Sequence, residues 1–298
     1  MRVNSADRYF CLLGVASLLI WGRALYTTLA LAIRNDAYTH ILLVLPVSIA
    51  LIILDRRRQR WITAPGIRSG SALLTLAAVI GIAGLRWGRL DTTDVRLTVE
   101  MLALVTWWVA SFVVCFGAQA FRRLLFPLLF LLWLIPIPQI AVKEAITLLQ
   151  TGTASLAREM FALIGVPVTQ QGTVLTVPGL TIRVAEECSS IRSSMMLIVT
   201  STIMSYLLLR SLWGKTIVIL AAMPLSIAKN GLRVFTLTAL ASYRSPAILD
   251  SPLHHQGGPL FLAIALAALT GLIALVSRME RMGDPAVRAK LSRMYTSA

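Results

Sequence analysis

Roughly eight stretches of this chain are apolar over about the 20 residues a helix needs to cross a bilayer, and no other feature limits the fold as strongly. They fall near residues 9–33, 38–54, 70–88, 97–118, 122–139, 190–209, 214–236 and 259–277. In hydrocarbon every backbone N–H and C=O must be satisfied inside the chain, so such runs span as helices. The 298 residues are 57% hydrophobic and 14% charged, with a mean hydropathy of +0.78, a balance outside that of soluble domains. The sequence therefore predicts an all-α integral membrane protein, one polytopic domain over residues 1–298 with about eight transmembrane helices. The first run carries Arg23, which fits a shorter span with a snorkelling tail. That run lacks a small-residue cleavage site, so it reads as an anchor rather than a cleaved signal.

The net charge of +15 raises nucleic acid as a partner, but the bases are grouped between apolar runs. No basic face with interleaved aromatics remains once the spans are set aside, so no nucleic-acid partner is expected. Arg56, Arg57, Arg58, Arg60 and Arg68 follow the second run, Arg122 and Arg123 precede the fifth, and Arg210 and Lys215 separate the sixth from the seventh. These loops alternate with one in which Asp91, Asp94 and Glu100 offset Arg86, Arg89 and Arg96. The positive-inside rule then predicts both termini in the cytoplasm, including a basic tail over 278–298.

One connection is long. Residues 140–187 are expected outside, with helical periodicity from Val142 to Ile164 that suits a helix lying on the membrane surface. Thr173 to Val184 reads "TVLTVPGLTIRV", two short β-prone runs about Pro178-Gly179, which predicts a small hairpin. The plain alternative is a connector and nothing more.

At the end of that loop stands "AEECSSIRSS", residues 185–194. Cys188 sits where the sixth span begins, and a helix start offers free N–H groups and partial positive charge that favour a thiolate. Arg192 lies one turn on and adds to the effect, while Glu186 and Glu187 oppose it. Cys11 and Cys115 lie inside apolar runs as small hydrophobes, and an inert Cys188 is the plain alternative. Lys229, Asn230 and Arg233 fall inside the seventh run, where ionisable groups are costly enough to mark a site. Snorkelling of Arg233 to the headgroups is the competing explanation. His254 and His255 open the eighth span on the same side. Cysteine, histidine and arginine supply a nucleophile, a proton carrier and a cation for an oxyanion, the set that acyl transfer requires. A zinc set from Cys188, His254, His255 and Glu186 has the spacing of no standard ligand pattern, so neither a metal nor a cofactor is expected.

At these residues the sequence resembles the exosortase/archaeosortase family of membrane-embedded cysteine transpeptidases. Val184 to Ser193, "VAEECSSIRS", follows the family's V-A-E-x-C-S-G-[IL]-R-S run, with Ser190 for the glycine. Asn230-Gly231-Leu232-Arg233 behind Pro224 resembles its N-x-x-R, and His254 its histidine before glycine and a last apolar span. Upstream, Asn35 to Arg58 is similar to an early Tyr-Ser-His segment with its proline-bearing span, and Phe126 to Pro138 to a Phe-Pro…Pro-x-Pro span.

The resemblance implies Cys188 as nucleophile, Arg233 as oxyanion cation and His254 as acid/base group, with His255 as the adjacent candidate. It also implies Arg192 as a thiolate-stabilising partner, and it matches His40 without giving it a role. The implied activity is cleavage of a C-terminal tripartite sorting signal on exported proteins, through a thioester, at the outer face of a bacterial inner membrane. Membrane lipid surrounds the enzyme, and the family's link to exopolysaccharide implies a surface glycan-related acceptor as one candidate. Two readings from other classes stand beside it. One is a transporter or polysaccharide-export component with an outward polar site; the other is an acyltransferase that uses His254 alone.

Overall fold

The computed structural model describes residues 5–58, 65–87, 93–184, 191–243 and 258–283. Nearly all of them are helical, and seven helices are long and apolar enough to cross a membrane. An eighth crossing exists if two helices separated by a sharp break count as one span. The protein is thus an all-α multi-pass membrane protein, as the apolar runs predict. Its chain forms two compact units, Met1–Val142 and Lys143–Ala298.

The first unit holds α1 (Ser5–Arg34), a 3-10 turn (Asp36–Tyr38), α2 (Ile41–Arg58), α3 (Ile67–Trp87), α4 (Thr93–Arg123) and α5 (Leu125–Phe130). Arg23 does not shorten α1, which continues unbroken to Arg34. Two tryptophans fasten α4 to α1: Trp107 Nε1 donates to the Leu13 carbonyl (3.0 Å) and Trp108 Nε1 to Ser17 Oγ (2.9 Å). Near its end α4 bends at Gly117, whose φ of 85° is open to glycine at little cost. At that bend the Val113 carbonyl accepts from the Gly66 N–H (3.3 Å). The start of α1 and the ends of α2 and α4 lie together, joined by Arg56–Asp7 (2.8 Å) and Arg123–Asp55 (2.9 Å).

The fifth expected span, 122–139, is corrected. Helix persists only through α5 and a 3-10 turn over Leu131–Leu134, after which Ile135 is extended (ψ 118°). Pro136 and Pro138 are the cause, because proline lacks an N–H and pushes the residue before it out of the α region. The break exposes main-chain groups that side chains then satisfy. Thr98 Oγ1 donates to the Pro136 carbonyl (2.8 Å), Tyr38 Oη donates to the Ile137 carbonyl (2.8 Å), and the Gln139 N–H donates to the Asp94 carboxylate.

The second unit is built from α6 (Gln139–Leu163, crossing in from the first unit), a small sheet, α7 (Ile191–Leu208), α8 (Leu212–Tyr243) and α9 (Gly258–Gly283). The sheet has three antiparallel strands, β1 (Thr169–Gln171), β2 (Val174–Val177) and β3 (Leu180–Arg183), rather than the two of the expected hairpin. β1 reads Thr-Gln-Gln and offers no apolar alternation, so its strand state comes from pairing with β2, Gln171 opposite Val174. Between β2 and β3 the two-residue turn Pro178-Gly179 uses a φ of 79° at Gly179, the conformation that favours glycine after proline.

Packing in this unit fixes the site. Along α6, Ile146, Leu149, Thr153, Ala154, Ala157 and Phe161 form one buried face. Ala154, Ala157, Leu175, Val184 and Val234 share one core cluster, so α6, β2 and the end of the sheet meet α8 there. A side chain at Gly231 would lie 2.8 Å from Leu156, so α6 approaches α8 closely at that point. On the other side, Leu197, Val218, Ala222, Ala265, Leu269 and Ile273 form the core of α7, α8 and α9. Glu280, near the end of α9, accepts from the Arg210 and Ser211 N–H groups (3.0 Å each) and from Ser211 Oγ. The turn from α7 to α8 therefore lies beside the end of α9, and the start of α9 is at the opposite end of this bundle.

Candidate active site

α8 carries the polar residues of the seventh run, and it extends to Tyr243 rather than ending near 236. Proline at 224 is tolerated inside it, as in other membrane helices where neighbours re-satisfy the backbone. Arg233 thus stands ten residues before the helix end, roughly 15 Å along the axis at 1.5 Å per residue. Lys229, Asn230 and Arg233 are 5%, 1% and 8% exposed. A cation so enclosed by protein is not one that snorkels along a lipid face.

Two polar groups on this face meet α7. Lys229 Nζ donates to Ser193 Oγ, and Ser226 Oγ donates to Ser194 Oγ (2.5 Å). The pairing follows from antiparallel geometry: α7 and α8 are joined by a short turn near Arg210, so the first turn of α7 faces the middle of α8. Ser226, Lys229, Asn230 and Arg233 recur at helical spacing on one buried stripe. Serine is common in apolar helices, so the sequence alone does not single out Ser193, Ser194 or Ser226; only their partners do. Arg192, in the same first turn of α7, is exposed.

The structure therefore brings Arg233, Lys229, Asn230 and the start of α7 into one neighbourhood. Cys188, Glu186, Glu187, His254 and His255 lie outside the described residues. His40 belongs to the first unit, 2% exposed, edge-on to Trp133 at 6.0 Å and 88°. Its Nδ1 has no hydrogen-bond partner among the described residues. Among those residues no three His, Cys, Asp or Glu side chains gather as for a metal ion; the weighed zinc set lies outside them.

Fold and site define a polytopic membrane protein that buries a cationic cluster where the first turn of α7 meets the middle of α8. A family model of transmembrane exosortases matches residues 21–271. The chain belongs to the transmembrane exosortase family, and the match takes in His40, Cys188, Arg192, Arg233, His254 and His255. No curated protein and no solved structure gives a match.

Proposed function

We propose that this exosortase is a cysteine peptidase/transpeptidase that cleaves a C-terminal sorting signal from exported proteins at the outer face of the bacterial inner membrane. The observation that carries the reading is how the chain on either side of Cys188 is anchored. Val184 is held in the cluster that contains Val234, and Ser193 accepts from Lys229. Cys188 is four residues from Val184 and three from Ile191, so connectivity keeps it within roughly 15 Å and 11 Å of those points at 3.8 Å per residue. Both anchors flank the segment of α8 that carries Arg233. His254 is four residues before Gly258, the start of α9. The 22 residues between Gly258 and Glu280 rise roughly 33 Å, which takes that start away from the α7–α8 turn and toward the level of Arg233.

In this mechanism the Cys188 thiolate adds to the scissile carbonyl carbon, and the Arg233 guanidinium holds the oxyanion in a planar fork. Collapse breaks the C–N bond, and His254 gives its proton to the departing amine. The substrate is left as a thioester on Cys188. Water or the amine of an acceptor then attacks the thioester, and the thiol leaves; a surface glycan-related acceptor is compatible with the family. No metal or cofactor enters these steps. Basic loops supply the sidedness. Arg56, Arg122 and Arg123 lie at one end of the first unit, and Arg210 and Lys215 at the α7–α8 turn, away from Ile191 and Gly258. The positive-inside rule then gives cytoplasmic termini and an outward site.

The test is to incubate the full-length protein with a substrate-tail peptide, trap the acyl-enzyme and locate it by mass. A thioester on Cys188, and none in Cys188→Ala, is expected. Wild-type processing by Cys188→Ala in the same membranes would overturn the assignment and favour a transport or histidine-only acyltransferase role. His254→Ala should be severe and His255→Ala mild; the reverse moves the acid/base role to His255. For sidedness, a single cysteine at Gln171 should react with an impermeant thiol reagent in intact cells, and one at Lys215 should not.

A further inference from the structure

The first unit contains a cleft of about 290 Å³ between α1, α3 and α4. Its floor is made of Ala24, Ala78 and Gly81, and its walls include Trp21 and Trp107. The aromatic walls are fixed in place. Trp107 is tied to the Leu13 carbonyl, the two rings are 5.7 Å apart at 59°, and a side chain at Gly81 would come within 2.8 Å of the Trp21 ring. Glycine at 81 thus allows Trp21 to lie against α3. The cleft opens on the exterior, since Ile20, Ile82 and Leu85 in its lining are more than half exposed.

Its polar groups sit at the α3–α4 hairpin end: Arg96, Glu100 and Arg23. Arg96 and Glu100 neutralise one another, with Nε 2.7 Å from Oε1. Arg23 is exposed and makes no ion pair among the described residues. The cleft therefore combines a rigid apolar slot with one guanidinium that no carboxylate among the described residues neutralises, on helices that cross the membrane.

We propose that this cleft is a binding site for an anionic phospholipid, with one acyl chain in the slot and the headgroup phosphate on Arg23. Physical chemistry selects that occupant. An apolar slot facing the bilayer takes up hydrocarbon rather than water. About 290 Å³ lies at the small end of ligand cavities and suits part of a flexible chain; a helix, about 10 Å across, does not fit. A guanidinium inside a membrane span is costly until it meets an anion or water, and it binds phosphate oxygens in a two-pronged fashion. The net charge of the headgroup then decides between lipids that share the same tails. The site does not depend on the peptidase reading.

The test uses the full-length protein, delipidated in detergent and titrated with phosphatidylglycerol or phosphatidylcholine of identical acyl chains, with bound lipid counted by native mass spectrometry. Wild type should retain phosphatidylglycerol over phosphatidylcholine. Arg23→Gln should weaken phosphatidylglycerol about tenfold, the scale of one charge-assisted hydrogen bond. Ala78→Phe, which fills the slot, should weaken both lipids, and Arg34→Gln on the same helix should match wild type. Arg23 is exposed, so its replacement leaves the fold intact even if Ala78→Phe does not. Equal retention of the two lipids by wild type, or unchanged phosphatidylglycerol binding by Arg23→Gln, overturns the proposal. Displacement of the lipid by inorganic phosphate alone would overturn the acyl-chain half of it.

Discussion

Two polar clusters lie within the apolar helices, and they differ in where their hydrogen bonds end. In the first unit Thr98, Tyr38 and Asp94 reach the main chain at Pro136, Ile137 and Gln139. They complete a backbone that the prolines interrupt. In the second unit Lys229 and Ser226 reach the side chains of Ser193 and Ser194 on an adjacent helix. A polar residue inside the membrane is thus not informative by type; its partner tells whether it serves the backbone. His40 is placed near the first cluster, buried against Trp133 with its Nδ1 lacking a hydrogen-bond partner among the described residues.

The largest expected effect falls on the second cluster. Arg233→Lys keeps the charge and loses the fork, so processing should fall by about 10² to 10³, as for loss of an oxyanion donor. Protein level and thermal midpoint should stay near wild type. A variant that instead fails to accumulate would class Arg233 with the structural cluster. Lys229→Met should slow processing by about tenfold through a loosened start of α7, read as turnover per folded molecule.

His40→Phe sharpens the comparison most directly. The ring still packs on Trp133, so detergent stability should hold, and a fall in processing at unchanged stability would give His40 a task beyond packing. Unchanged processing would leave His40 with the backbone-serving group. Next comes Tyr38→Phe, which orphans the Ile137 carbonyl and should cost about 1–2 kcal/mol of stability, seen as a lower thermal midpoint with normal turnover of the folded fraction. The smallest effect belongs to Arg56→Gln. Its ion pair with Asp7 is exposed, with side chains 50% and 20% accessible, so the change should stay below about 0.5 kcal/mol.

Much of this was legible in residue order. The apolar runs placed α1 to α4 and α7 to α9, with α8 and α9 running on past the expected ends to Tyr243 and Gly283, because a helix in hydrocarbon needs length and apolarity more than any tertiary partner. Lys229, Asn230 and Arg233 stood out for the same reason. In the fifth run apolarity continues past Leu134 while the helix does not, because Pro136 and Pro138 act on φ and on hydrogen bonding rather than on hydropathy. β1 was missed because Thr169-Gln170-Gln171 has no strand pattern of its own and is extended only beside β2.

By itself, then, the sequence determined that the chain crosses the membrane many times and which of its residues are too costly to be there without a task. Transfer from water to lipid is a local property, summed residue by residue. The tertiary structure alone decided that Tyr38 and Thr98 close a broken backbone, that Ser193 receives Lys229, and that Trp21 lies on Gly81 in the cleft that Arg23 also lines. Those are pairings across tens of residues. They depend on which helix faces meet and at what depth, and no local pattern encodes that.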